Sequence, residues 1–386
     1  MTYGFFLANT LAYPFGHISL GTDTLDQGFS VENAFGHFDD FSFRNFYNLD
    51  RIDNIDVDKK FIMLSIQMPV TYRIRLHKKT IDKINQDKDT FLIIVTLLEG
   101  EIDYKLIIKQ LQRQRINKQK VLIMTSCFTH LNNSYGLKFI YIDYWESFTR
   151  YHQKFLPGAT DRRSINLAAS KKFLCLNRNQ KAHRIWFYFN LWRLKMKEQS
   201  HISYHLPLLD IEIYNQMARS DFVLKYIPSS LHQEYQQFLN KTYEGKVLDK
   251  LDINPINYNN SILNYYNDSL FSIVTESSFR FAFLTEKTFK AIVHCHPFFI
   301  IGNPDHHSRL RHNGYYTFED FFDTKKVESF DEASSFISKI KYTDIKVYKN
   351  KFTEDFIDKL YYNYDNFYNR RISWLDIEKQ VLKATR

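Results

Sequence analysis

A group of residues in the second half of the chain has the charges and spacing to bind an anionic, hydroxylated ligand. Glu276 follows Leu270–Val274, a short apolar run typical of a buried strand. Thr285, Glu286 and Lys287 come after a polar and aromatic loop, and Thr285 is a typical helix cap. The free N–H groups and the dipole of a first helical turn attract anions, so Lys287 is placed for a phosphate. Glu286 is placed to accept hydrogen bonds from a ribose diol.

The segment that carries these residues predicts a strand, a loop, a helix and a second strand. Phe289, Ile292 and Val293 have the i, i+3, i+4 spacing of one apolar helix face. Pro297 ends that helix, and Phe298–Ile301 is a second buried strand. A unit of this length implies parallel strands with a right-handed crossover. Open parallel sheets bind ligands at the carboxyl ends of their strands, which is where Glu276 would lie.

A second strand-to-helix turn, further upstream, carries clustered positive charge. Lys172–Asn177 predicts a strand, and Arg178, Lys181 and Arg184 crowd the turn that follows it. Bidentate Arg contacts and helix amides can hold a diphosphate. The same charges also suit a basic, solvated helix start.

The segment from Glu276 to Lys287 is similar to the donor-binding signature of the fucosyltransferase-like glycosyltransferases. That signature has a strand ending in Glu, an aromatic-rich loop, Thr-Glu-Lys, and a helix leading to a Pro-Val-Val-type strand. Leu284–Lys290 also resembles phage and marine-bacterial glycosyltransferase-like proteins with Leu-Thr-Glu-Lys-Thr-Phe-Lys. Ser277 stands where the fucosyltransferases have Asn. The similarity covers roughly residues 170–320, and its alternative is a structural βαβ unit with surface charges.

The resemblance implies an α/β fold of two Rossmann-like domains facing a cleft (GT-B-like), with a C-terminal helix crossing back. It implies transfer of a hexosyl or fucosyl group from a nucleoside diphosphate sugar. We expect this transfer to need no metal ion and no other cofactor. By resemblance, Asn177 and Arg184 match the family's Asn and Arg. The expected donor-binding residues are Asn177, Arg178, Lys181, Arg184, Glu276, Thr285, Glu286 and Lys287.

Strands alternate with helical segments between Lys60 and Tyr144, which predicts a parallel α/β domain. An inverting transfer needs one carboxylate or His near the acceptor hydroxyl. Glu99 follows the buried-strand run Thr90–Leu98 and is the first choice for that base. The other strand ends offer Glu101, Asp143 and Glu146, of which we retain Asp143. Each of these carboxylates also suits a solvated surface or a helix cap.

The best linker in the chain is Leu156–Asp161, which contains Pro and Gly. We predict an acceptor-binding domain over residues 1–160, a donor-binding domain over 161–350, and a C-terminal helical segment over 351–386. Residues 1–60 have no clear period and predict loops with a few short elements.

Composition favours a globular protein, with 44% hydrophobic and 25% charged residues among 386. The three Cys are odd in number and widely spaced, which argues for a reducing compartment and a cytoplasmic location. No apolar run reaches membrane-spanning length, and the first residues lack the basic region of a secretion signal.

Two patterns invite a metal, and we expect none at either. His294 and His296 stand near further histidines, but two positions apart at a helix end they point apart. Asp56-Val57-Asp58 precedes a strand instead of following one, which is the wrong context for a metal-dependent sugar site.

A net charge of +9 favours polyanionic partners. We expect the acceptor to be a glycan or, given this charge and the phage-like resemblance, a modified base in phage DNA. The same charge suits an alternative from another class, a basic nucleic-acid-binding protein without turnover. The sequence leaves open the sugar, the nucleotide base, the acceptor, the stereochemistry and the oligomeric state.

Overall fold

The structure is a computed structural model of the 386-residue chain. It describes residues 3–7, 46–48, 53, 56–65, 76–97, 104–128, 136–153, 164–177, 181–204, 221–225, 227–240, 260–278, 281–324 and 330–386. The chain divides into two compact units, Met1–Tyr151 with Arg371–Arg386 (unit 1) and His152–Arg370 (unit 2). No helix in the described ranges is long and apolar enough to cross a membrane.

Unit 1 is built on a sheet whose six described strands all run parallel, in the order β2-β1-β3-β4-β5-β6. Its elements are β1 (Tyr3–Leu7), β2 (Phe46–Asn48), β3 (Lys59–Ser65), α1 (Lys78–Gln86), β4 (Thr90–Thr96), α2 (Tyr104–Arg113), β5 (Val121–Thr125), β6 (Lys138–Tyr141) and α3 (Tyr144–Gln153). β4 is buried along its whole length, as expected for a parallel strand covered on both faces.

Unit 2 is built on a second parallel sheet, whose four described strands have the order β10-β9-β7-β8. Its elements are β7 (Lys171–Asn177), α4 (Ala182–Arg193), β8 (Ser200–Tyr204), α5 (Asp221–Lys225), α6 (His232–Asn240), α7 (Asn260–Asn267), β9 (Ser269–Thr275), α8 (Glu286–Val293), β10 (Phe298–Ile301), α9 (Asp305–His312), α10 (Phe330–Tyr342), α11 (Ile345–Lys349) and α12 (Glu354–Asn369).

Helices cover both faces of the unit 2 sheet. On one face Leu174 packs with Ile262 and Tyr266 of α7. On the other face the ring of Phe299 stacks on Phe336 of α10, with centroids 4.0 Å apart. Successive strand residues point to opposite faces, so the apolar runs in the sequence become two separate cores.

The last helix, α13 (Trp374–Ala384), belongs to unit 1. Trp374, Ile377 and Val381 lie in the same buried cluster as Ile93 of β4. The ammonium group of Lys59 donates to the carbonyl oxygen of Thr385 at 3.0 Å, next to the end of this helix. Cations at a helix C-terminus are favourable because the last carbonyl groups carry partial negative charge.

The predicted strand–helix–strand unit is confirmed, with β9, α8 and β10 close to their expected bounds. Residues 351–386, predicted as a C-terminal helical segment, hold two helices, of which α12 lies in unit 2 and α13 in unit 1. α12 ends at Asn369, Arg370 is extended with ψ 120°, and the side chain of Ser373 caps a new helix by accepting from the N–H of Leu375. The first 60 residues, where the sequence has no clear period, contain the short strands β1 and β2.

Candidate functional site

The order in which strands are added to the unit 2 sheet reverses between β7 and β9. β8 follows β7 in the chain and pairs on one side of it, whereas β9 pairs on the other side and β10 lies beyond β9. Ligands of open parallel sheets bind in the crevice at the carboxyl ends of the strands where such a reversal occurs. Asn177 ends β7 and Glu276 follows β9, so residues predicted to bind the donor flank this crevice.

The helices that follow these two strands cover opposite faces of the sheet. α4 follows β7 and contacts α10, which lies on the Phe299 face. α8 follows β9, and His294 at its end stacks on Tyr266 of α7, on the Leu174 face. Both helices begin at the carboxyl edge. Their free N–H groups therefore flank the crevice from its two sides.

Glu276 is completely buried, and its carboxylate fixes the start of α8. Its oxygens accept from the backbone N–H groups of Ser277 (3.2 Å) and Thr285 (3.0 Å) and from the hydroxyl of Thr285 (2.7 Å). The hydroxyl of Thr288 donates to the same carboxylate at 2.5 Å. Glu276 therefore ties the end of β9 to the first turn of α8. The predicted contact of Glu276 with a ligand stays a prediction, and Thr288 is a contact that the sequence did not indicate.

Thr285 caps α8 as predicted, because its hydroxyl oxygen accepts from the N–H of Lys287. The ammonium group of Lys287 lies 2.8 Å from a carboxylate oxygen of Glu286, and the two side chains are 16% and 21% exposed. Burial raises the pKa of Glu286, but the charges of Lys287 and Lys290 outweigh it and hold that pKa down at about 2. Glu286 is therefore ionised at neutral pH.

Asn177 is a buried amide at the end of β7, 1% exposed. Its carbonyl oxygen accepts a hydrogen bond from the hydroxyl of Thr275 in the neighbouring strand. Its Nδ2 group has no acceptor among the described residues. A buried donor without a partner costs free energy, so an oxygen atom of a ligand in this crevice would stabilise it.

Two of the predicted cationic residues lie at different depths. Arg184 is 1% exposed, and its guanidinium group donates to the carbonyl oxygen of Thr275 at 3.0 Å, below the crevice. Lys181 is half-buried at the N-cap of α4. Lys181 can therefore reach a ligand more readily than Arg184. Arg178, the third member of this basic turn, lies outside the described residues.

Two buried histidines form hydrogen bonds with the backbone of the site, and the sequence did not indicate either of them. Nε2 of His183 lies 2.8 Å from the carbonyl oxygen of Glu276 and must carry the proton, because a carbonyl only accepts. Nε2 of His306 accepts from the N–H of Phe283 at 2.8 Å. Burial lowers the pKa of His183 to about 3 and that of His306 to about 4, so both rings are neutral at physiological pH.

Gly302 lets these parts approach one another. A Cβ atom at Gly302 would lie 2.9 Å from the ring of His306 and 3.2 Å from Cβ of Glu276. Real Cβ atoms essentially never come as close as 2.9 Å to another heavy atom, and 3.2 Å is tighter than nine in ten real Cβ contacts. A side chain at this position would force apart the groups that position the first turn of α8.

The predicted bases in unit 1 have a different setting. Asp143 is 8% exposed, and the hydroxyl of Tyr141 donates to its carboxylate at 2.8 Å. Asp143 follows β6, which is an edge strand of the described sheet. The strand order of that sheet reverses between β1 and β3, so Asp143 does not lie at the reversal. Three strand spacings separate β3 from β6, about 14 Å. Glu99 lies outside the described residues.

The histidines that suggested a zinc site have other partners. His296 contacts the hydroxyl of Ser272 and the carbonyl oxygen of Tyr266, at 2.9 and 2.8 Å. His307 lies 3.0 Å from the carboxylate of Glu319. Across the part of the chain that the structure describes, no three metal-ligating side chains come together.

Comparison with known proteins gives only a distant structural likeness. No protein-family model matches the sequence, and no curated protein sequence matches it. A crystal structure of an alpha1,3-fucosyltransferase is similar at a TM-score of 0.35 and 13% identity, over 88% of this chain and 81% of that one. A TM-score of that size does not establish a shared fold, so the function has to be inferred from the site itself.

Proposed function

We propose that this protein transfers a sugar from a nucleoside diphosphate sugar to an acceptor hydroxyl. The observation that carries the proposal is the crevice between β7 and β9, where two helices begin and where Asn177 buries an amide donor without an acceptor among the described residues. Phosphates bind at helix N-termini in such crevices. The resemblance of Thr285-Glu286-Lys287 to the glycosyltransferase signature points to the same site.

The diphosphate would be held by the first N–H groups of α4 and α8, by Nδ2 of Asn177, and by the ammonium groups of Lys181 and Lys287. When the bond to the sugar breaks, negative charge grows on the leaving diphosphate. Fixed cations and N–H groups stabilise that charge in the transition state more than in the ground state. Transfer would then need no metal ion.

Glu286 would recognise the nucleoside part of the donor. Its pKa of about 2 keeps it ionised, so it can only accept hydrogen bonds. A ribose diol offers two O–H donors to such a carboxylate. The base that deprotonates the acceptor hydroxyl stays a prediction, at Glu99 or Asp143, and the acceptor stays a glycan or a modified DNA base.

A nucleic-acid-binding protein without turnover is the second candidate, and the net charge of +9 favours it. It predicts that affinity for duplex DNA falls steeply with salt, since phosphate contacts release counterions. It also predicts that Lys287 matters no more than an exposed lysine elsewhere in the chain. The sugar-transfer proposal predicts that Lys287 matters far more than the others.

A thermal-shift panel of nucleoside diphosphates and their sugars separates the two functions. We expect the nucleoside diphosphate of one particular base to raise the melting temperature of wild type, because a ligand that binds only the folded state stabilises it. Lys287→Ala should lose that rise, and Lys346→Ala, on the exposed side of α11, should keep it. The protein should also slowly hydrolyse the matching sugar donor, with water taking the sugar and the nucleoside diphosphate leaving. A flat panel on wild type would reject the sugar-transfer proposal.

A further inference from the structure

The contact between Glu286 and Lys287 is unusual for neighbours on a helix. Residues one position apart point about 100° away from each other, so their side chains do not normally meet. Here the Lys287 ammonium group lies 2.8 Å from Glu286 Oε1 and 3.4 Å from the hydroxyl of Thr285. The two side chains therefore fold toward each other over the first turn of α8, and both are mostly buried.

In this ion pair, Glu286 already neutralises the Lys287 ammonium group that a phosphate would need. A bare anion that binds Lys287 must separate it from Glu286. The carboxylate then stays ionised beside the incoming anion, with Lys290 as its remaining nearby cation. Like charges close together at a partly buried site repel strongly. Free phosphate and pyrophosphate are thus disfavoured, although the N–H groups and lysines of the site attract them.

A nucleotide avoids this penalty because it brings hydrogen-bond donors as well as an anion. Its phosphate can take Lys287 while its ribose hydroxyls donate to Glu286, so neither charge loses its partners. The buried amide donor of Asn177, which has no acceptor among the described residues, gives the phosphate a further contact. We propose that the Glu286–Lys287 ion pair makes the site select ribonucleoside diphosphates and exclude inorganic phosphate and pyrophosphate. This inference rests on the proposed function.

Calorimetric titration of four proteins with three ligands tests it. The ligands are the nucleoside diphosphate that stabilises the protein most, its 2′-deoxy analogue, and inorganic pyrophosphate. The proteins are wild type, Glu286→Gln, Lys287→Ala and Asp355→Asn. Asp355 forms an exposed ion pair with Lys359 on α12, so its substitution gives the same change in net charge at an exposed pair on another helix.

We expect Glu286→Gln to bind pyrophosphate about tenfold more tightly than wild type, because the repelling carboxylate is gone. It should bind the ribonucleotide about tenfold more weakly and lose most of the preference over the 2′-deoxy analogue, because the acceptor of the diol is gone. Asp355→Asn should match wild type with all three ligands. Lys287→Ala should weaken both the nucleotide and pyrophosphate.

Failure of this inference differs from failure of the proposed function. If wild type binds the nucleotide but Glu286→Gln gains no affinity for pyrophosphate, the selection mechanism is wrong and the donor site stands. A gain equal to that of Asp355→Asn is only an effect of net charge and overturns the mechanism too. If wild type binds no nucleoside diphosphate at all, the proposed function fails, and the inferred preference for ribonucleotides fails with it.

Discussion

Thr285 gives Glu276 two hydrogen bonds, one from its backbone N–H at 3.0 Å and one from its hydroxyl at 2.7 Å. The same hydroxyl oxygen accepts from the N–H of Lys287. A buried carboxylate at the end of β9 is thereby connected, through one threonine, to the residue proposed to bind phosphate. The position of Lys287 is therefore set through a carboxylate that is completely buried.

Glu276→Gln should destabilise unit 2 by about 2–4 kcal/mol, because an amide NH₂ would face groups that are themselves donors in a fully buried site. Urea denaturation, monitored by a spectroscopic signal that reports on unit 2, measures this change in unfolding free energy. Asp355→Asn, whose side chain is 77% exposed, should change the unfolding free energy by less than about 0.5 kcal/mol. Equal effects of the two substitutions would contradict the role given to Glu276.

Asn177→Asp should weaken binding of the nucleoside diphosphate by about 1–3 kcal/mol. It replaces the buried Nδ2 donor by an oxygen that repels a phosphate, at nearly unchanged size. Calorimetric titration gives the dissociation constant directly. Asn350→Asp, on the exposed surface after α11, is the matched control and should bind like wild type. Unchanged affinity in Asn177→Asp would remove this amide from the donor site.

Stability should fall as the pH drops below about 6.5, the ordinary pKa of histidine. His183 and His306 have pKa values lowered to about 3 and 4 in the folded protein. Between those values and 6.5 the unfolded chain binds protons that the folded chain excludes. Each histidine then contributes a loss of about 1.4 kcal/mol per pH unit.

Urea denaturation at pH 7.5, 6, 5 and 4.5 measures this slope. His306→Gln should reduce the slope of unfolding free energy against pH by the contribution of one proton. His312→Gln, at an exposed position of the same helix, should leave the slope unchanged. If His306→Gln and wild type have the same slope, the ring is not held neutral by its burial.

Gly302→Ala should destabilise the protein by about 1–3 kcal/mol, since its Cβ would overlap the ring of His306. Much of that cost should vanish when His306 is already replaced by Ala, because the smaller side chain leaves room. A double-mutant cycle measures the coupling between the two positions. Additive effects would show that Gly302 matters for a reason other than this contact.

Ile377→Ala should destabilise unit 1 by about 2–5 kcal/mol, because Ile377 is buried in the core of that unit. Leu375→Ala, on the same helix but 51% exposed, should have little effect. Hydrogen exchange of β4 and β5 amides distinguishes the two variants. Equal protection in both would mean that α13 does not contribute to the core of unit 1.

The strand–helix–strand segment around Glu276 could be predicted because its signals are local. Leu270–Val274 is apolar except at Ser272, Thr285 has the side chain of a helix cap, and Pro297 stops the helix. β8 was not predicted because Ser-His-Ile-Ser-Tyr has one aliphatic residue and no strand pattern. The reversal of strand order depends on where β8 pairs, and no local pattern encodes that.

The burial of Glu276 could not be predicted for a similar reason. A carboxylate after a strand usually faces solvent or a ligand, and this one is satisfied by threonines 9 and 12 positions further along the chain. The break between α12 and α13 was hidden as well. Phe367 and Trp374 continue the apolar spacing of one helix, although they belong to the cores of different units.

Affinity labelling tests most directly whether a nucleotide binds at the start of α8. Periodate converts the ribose diol of the best-binding nucleoside diphosphate to a dialdehyde. In water this group is largely hydrated, so it keeps O–H donors for Glu286, and its aldehyde form makes a reducible Schiff base with a nearby lysine amine. Mass spectrometry should find the label on Lys287 or Lys290, and excess unmodified nucleotide should prevent it. Label spread over other lysines, or label that unmodified nucleotide does not displace, would contradict the account.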